Sequence, residues 1–263
     1  MMTPFAILGR ALLAAMAIAL AAPSVVPPAL AQAPAFSDAQ KAAIRDLVKD
    51  FILKNPEVLQ EALVELDRRQ KDNELQARLK ITQDKTGPLY TAKHNAAFGN
   101  PNGDVTIVEF FDYNCGFCKR ALGDLQKMMA EDKNVRVITK DFPVLGPGSV
   151  EAATVALAAK QQLSTDKLWL FHQKLLATRG QVGKQQALDA AKDAGADMAK
   201  LTRDLDSPAV RAAIEENIQI ADALGLTGTP SYVVGDDIVV GAVGFAELKT
   251  RIDNLRKCGK SAC

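Results

Sequence analysis

Residues 105–120 read VTIVEFFDYNCGFCKR, an apolar run that turns at DYN into C-G-F-C and continues into the helix-like stretch ALGDLQKMMA. The run predicts a strand that delivers two thiols, Cys115 and Cys118, to the start of a helix. A helix N-terminus presents unpaired amide groups and a partial positive charge, and both favour a thiolate at the first sulfur. A thiolate so placed attacks disulfides, which points to thiol–disulfide exchange. The competing reading is a structural disulfide or half of a zinc site. Zinc needs four ligands, and only Cys258 and Cys263 could complete a four-thiolate set.

Working outward, VRVITK at 135–140 predicts a second strand, and the unit strand, helix, strand implies parallel pairing. Helical periodicity then runs from 149 to about 226, broken at 178–180, at Ala194-Gly195 and at Ser207-Pro208, so several helices are inserted there. SYVVG and IVVGA, separated by Asp236-Asp237, read as a hairpin, and a last helix is expected over 245–257. A domain over 105–257 follows.

Before it lies a helical arm, 32–81. Ser37 and Gln40 have capping-box spacing, and Ile44, Leu47, Val48, Phe51 and Ile52 form one helical stripe. Asn55-Pro56 predicts an immediate second helix to about residue 80, apolar at Val58, Leu59, Leu63 and Leu66 and polar thereafter. The arm either packs on its own domain or associates with copies of itself, and an apolar stripe outside a core favours the second. Residues 82–104, with Gly87-Pro88 and GNPNGD, read as linker.

Arg10, the run ALLAAMAIALAA and the small residues ending at Ala31 have the pattern of a cleavable secretory signal over 1–31. The run is a dozen residues, short of the ~20 that cross a bilayer. Export to an oxidising compartment, the periplasm, is the expectation, and four cysteines suit it. Removal of 1–31 takes away Arg10 alone among charged residues, so 31 basic residues face 31 acidic ones and no nucleic-acid partner is implied. No nucleotide-binding glycine pattern is present, and exchange between sulfurs calls for no organic cofactor and no resident metal.

This order of elements, with FFDYNCGFCKR and GTPSYVVG, resembles the DsbA-like branch of the thioredoxin superfamily over about 100–257. The resemblance implies an α/β, thioredoxin-like fold with an inserted helical domain, preceded here by the arm. DLVKDFILKNPEVLQEAL before such a domain further resembles exported proteins of the suppressor-of-copper-sensitivity C type. On this resemblance Cys115 is the attacking thiolate and Cys118 the thiol that closes the redox-active Cys115–Cys118 disulfide. Gly116 and Phe117 between them tune the redox balance and border the substrate. DsbA itself has proline and histidine there, so loss of the histidine implies a less oxidising pair.

Glu109, on an otherwise apolar strand, is implied to lie beneath the cysteines and move the proton of Cys118, with Lys140 as its partner. Thr229-Pro230 is implied to be the cis-proline loop that offers backbone groups to an extended client. Cys258 and Cys263 are read as a tail disulfide, with a metal pair or auxiliary redox pair as the alternatives. His172 and Trp169, in WLFHQKLL, are read as packed residues.

The function implied is exchange of disulfides with exported proteins, supported by a membrane redox partner and by homo-oligomerisation through the arm. Isomerase or reductase action linked to copper stress is favoured, with a monomeric DsbA-like oxidase as the alternative. A copper-binding protein that holds Cu(I) on the same thiols is the alternative of another class. A further alternative is a structural protein with a vestigial redox domain.

Overall fold

The computed structural model describes residues 36–91 and 93–263; the leader assigned to 1–31 lies outside the described residues. The described residues up to Ala62 and those from Leu63 onward fall into two compact units.

In the first unit, α1 (Asp38–Lys54) is opened by the full capping box of Ser37 and Gln40 and closed by Asn55, whose side chain donates to the Phe51 carbonyl at 2.8 Å. No residue of α1 is buried, and Leu47 and Phe51 are among its exposed side chains. Helix α2 (Glu57–Gln83) begins in the same unit. Its later turns carry Arg68 and Arg69 on Glu65, Arg68 on Asp72 and Lys71 on Asp67. Exposed pairs of this spacing stabilise a helix by only a few tenths of a kcal/mol each.

In the second unit a five-stranded sheet has the order β1-β3-β2-β4-β5, with β1 (Ala96–Gly99), β2 (Val105–Phe111), β3 (Val135–Asp141), β4 (Ser231–Val234) and β5 (Asp237–Val240). Only β2 and β3 are parallel, joined by α3 (Gly116–Glu131). The sheet begins before Val105. Ala96–Gly99 pairs with β3, and sequence reading places it in the linker because AAFG holds no β-branched residue.

Side chains alternate across a strand, so β2 feeds two cores. Ile107 and Phe111 enter the cluster beneath α3, whereas Val108 and Phe110 enter the one on the other face with Ile138 and Val233. Five helices separate β3 from β4: α4 (Pro147–Lys160), α5 (Thr165–Ala177), α6 (Lys184–Asp193), α7 (Met198–Asp204) and α8 (Pro208–Ala223). Helix α4 is apolar nearly all round and buries Ala152, Val155 and Ala159 among others, as a helix enclosed by neighbours does. Helix α9 (Phe245–Cys258) ends at Gly259, whose left-handed φ of 76° suits glycine.

Candidate active site

Cys115 is the N-cap of α3, where the strand-to-helix turn closes with its amide donating to the Asp112 carbonyl at 3.0 Å. The unpaired first amides of α3 lie at this end of the helix, although none of them hydrogen-bonds the Cys115 sulfur. Both Cys115 and Cys118 are thiols in this structure and both are buried, Cys115 at 6% exposure and Cys118 at 1%. The difference in depth matches the geometry of a helix start. The N-cap sulfur reaches toward the surface and the one three residues on turns inward.

Thr229 faces both sulfurs. The Cys115 thiol donates to its backbone carbonyl at 3.1 Å, and its side chain hydrogen-bonds Cys118. The Thr229–Pro230 peptide is cis, Pro230 is buried, and its carbonyl accepts the Gly241 amide. Phe117 is 56% exposed beside the pair, with the Arg120 guanidinium 4.3 Å from its ring centroid, and the space beside Gly116 is open.

Glu109 projects from β2 onto the face that carries α3 and hydrogen-bonds Tyr232. Burial pushes its carboxyl up to about 8, with the Tyr232 bond opposing. Its charge is felt at Cys118, whose thiol is held well above the ordinary range by burial and then by Glu109. A carboxyl that titrates near neutrality below a thiol that resists ionisation can take up and return a proton.

Lys140 is not brought to this site. In the parallel register Glu109 stands opposite Thr139, and Lys140 opposite Phe110. A one-residue offset reverses the face, so Lys140 points into the other core. Its ammonium donates to the Pro88 carbonyl at 3.0 Å and lies 3.5 Å from Asn217 Oδ1, and burial pushes its pKa down to about 8. Glu109 instead has Tyr232 as its partner, and the expected Glu109–Lys140 pair is corrected accordingly.

Two residues absent from the sequence expectations organise the loops around the thiols. Asp112, 2% exposed, accepts the amides of Asn114, Val144 and Leu145 at 2.8, 2.9 and 3.0 Å. Asn114 exchanges two hydrogen bonds with the Val182 backbone and donates to Ser149 Oγ. The signal was present in the sequence, since two short polar side chains between an apolar strand and C-G-F-C favour turn bonding. Behind them, the Tyr113 hydroxyl lies 3.2 Å from Nδ1 of His172, which is 2% exposed and pushed down to about 3 by burial. Trp169 stacks on His172, half-buried against the same core.

Cys258 and Cys263 form a disulfide that closes the tail on itself after α9. They lie on elements distant in sequence from the C-G-F-C turn, and their sulfurs are committed to each other.

Residues 40–72 match the Copper resistance protein ScsC N-terminal domain. Among solved structures, ScsC of Proteus mirabilis in a transitional conformation is 29% identical, with a TM-score of 0.62 over 85% of this chain and 98% of that one. A thioredoxin-like oxidoreductase from Silicibacter pomeroyi is 39% identical, with a TM-score of 0.60 over 68% of this chain and 96% of that one. Among curated proteins, the Na(+)/H(+) antiporter NhaA of Herminiimonas arsenicoxydans is 27% identical over 139 residues, 52% of this chain, which thus spans about a fifth (21%) of that relative's length. Residues 106–253, more than half of the sequence, match the DSBA-like thioredoxin domain, and the chain belongs to that family.

Proposed function

We propose that this protein is an exported thiol–disulfide oxidoreductase that acts on the cysteines of client proteins in the periplasm. The observation that carries the reading is the placement of Cys115 at the start of α3, with its sulfur against the Thr229 carbonyl and Cys118 buried behind it. In the reductive direction the Cys115 thiolate attacks one sulfur of a client disulfide, a mixed disulfide forms, and the other client sulfur leaves as a thiolate. Cys118 then gives its proton toward Glu109 and attacks the Cys115 sulfur. The client's second thiolate departs, the Cys115–Cys118 disulfide closes, and two electrons have passed to the client. A membrane redox partner restores the dithiol.

Backbone groups at Thr229 would align an extended client by strand-like hydrogen bonds, with Pro230 fixing the loop and Phe117 and Gly116 bordering the approach. Without a histidine between the cysteines, the pair is expected to be less oxidising than DsbA. Equilibration with glutathione buffers is expected to give a potential more negative than the about −120 mV of DsbA; a value at or above that figure would sink the expectation.

Isomerase or reductase action in an oligomer is the favoured form. Ile44, Leu47, Val48, Phe51 and Leu59 are all at least 44% exposed, an apolar stripe suited to burial against copies of itself. The match of 40–72 to an N-terminal domain named for copper resistance supports a role under copper stress. Light scattering is expected to show an oligomer for residues 32–263 and a monomer once residues 32–62 are removed, with insulin reduction retained. A monomer in both cases would favour a monomeric oxidase instead.

A further inference from the structure

The C-terminal ends of β2 and β3 carry the chemistry described so far. Their other ends, about 20 Å away along a seven-residue strand, open on a cavity of about 750 Å³. That volume lies in the range of small-molecule sites. Its walls combine Val105, Leu255 and the Tyr90 ring with the polar Thr106, the carboxylate of Asp104 and three cations, Lys85, Arg136 and Arg256.

The three cations are not equivalent. Arg256 is held between the carboxylates of Asp104 and Asp132, with four contacts of 2.6 to 3.1 Å. Lys85 donates to the Thr82 carbonyl and the Tyr90 hydroxyl, lies 4.2 Å from the Tyr90 ring centroid, and feels the charge of Asp236. Arg136 has neither an ion pair nor a side-chain hydrogen bond among the described residues, and its Nε is buried without an acceptor. The parallel register sets Thr106 directly beside it on the same face. A guanidinium and a hydroxyl therefore stand side by side at the edge of an apolar-walled cavity. Gly235 opposite has no side chain to narrow it.

We infer that this cavity is a binding site for a small organic monocarboxylate with an apolar body, its carboxylate on Arg136 and Thr106 and its body against Tyr90, Leu255 and Val105. A single uncompensated guanidinium matches one planar carboxylate, whose two oxygens its fork can engage together. Among the described residues lining this cavity a phosphate dianion finds no second free cation, because Arg256 is neutralised by two carboxylates and Lys85 stands near Asp236. The site is separate from Cys115 and Cys118, so occupancy is readable without any redox assay.

The test is an amide NMR titration of the full mature protein with benzoate, its neutral isostere benzamide, and inorganic phosphate. Saturable benzoate shifts are expected at Thr106, Arg136 and Gly235, with benzamide binding at least about tenfold more weakly. Arg136→Gln is expected to weaken benzoate about tenfold or more while leaving insulin reduction unchanged. Equal binding of benzoate and benzamide, or an unchanged benzoate affinity in Arg136→Gln, would overturn carboxylate recognition. Tighter binding of phosphate would overturn the ligand class, and shifts that stay linear to tens of millimolar would overturn the site. The benzoate and benzamide comparison in the unaltered protein stands even if the variant folds poorly.

Discussion

Cys115→Ser is expected to lower insulin-disulfide reduction by roughly 10³-fold or more, the order of loss that follows removal of a covalent nucleophile. Cys118→Ser is expected to behave differently. Cys115 remains at the N-cap of α3, still opposed by the Thr229 carbonyl, so it can attack. With no thiol at 118 the mixed disulfide has no internal exit, and a client adduct on Cys115 should accumulate and be visible by non-reducing mass spectrometry. Turnover falls in both variants, but only the second traps a client. An adduct that accumulates on Cys118 in Cys115→Ser, with none in Cys118→Ser, would reverse the assigned roles. Burial argues against that outcome, because Cys118 is 1% exposed and its thiol is held protonated by its surroundings.

The features legible in the sequence are those whose physics is local. C-G-F-C after an apolar run places two thiols at a helix start whatever the remainder of the chain does, and the Ser37 and Gln40 capping box forms as its spacing requires. Partners set by strand register are less legible. Glu109 and Lys140 each follow from their own strand, but whether they meet depends on the alignment of β2 with β3, and one residue of offset puts them on opposite faces. Tyr232, the actual partner of Glu109, lies 123 positions further along the chain and comes beside it only through the β2–β4 pairing. Asp112 and Asn114 were missed for a related reason. Their turn-forming character is local, but their role in holding the loops at 144–145 and 182 is tertiary.

Glu109→Gln is expected to make the protein more stable and less active, and pH separates the two effects. The folded state holds the Glu109 proton up to about pH 8, against an ordinary value of 4.5. Between those values the unfolded chain has lost a proton that the folded chain keeps, so this group's contribution to stability falls as pH rises through the window and is least favourable above 8. The full difference is on the order of 5 kcal/mol, nearly all of it present by pH 8. Glutamine has no such titration and can keep a hydrogen bond to Tyr232. At pH 8 the variant should therefore melt roughly 10–15 °C higher, with the two proteins converging near pH 4. Above pH 8, where Glu109 is ionised and can accept the Cys118 proton, closure of the Cys115–Cys118 bond should slow by about 10²-fold in the variant, and the inflection near pH 8 in the wild-type rate should vanish. Stopped-flow decay of a preformed mixed disulfide measures that profile. An identical inflection in Glu109→Gln would assign the proton to another group, and melting curves that stay parallel from pH 4 to 8 would place Glu109 ionised in the folded protein. A buried carboxyl that costs stability at neutral pH, and whose charge reaches the Cys118 thiol, fits the proposed proton transfer better than a packing role.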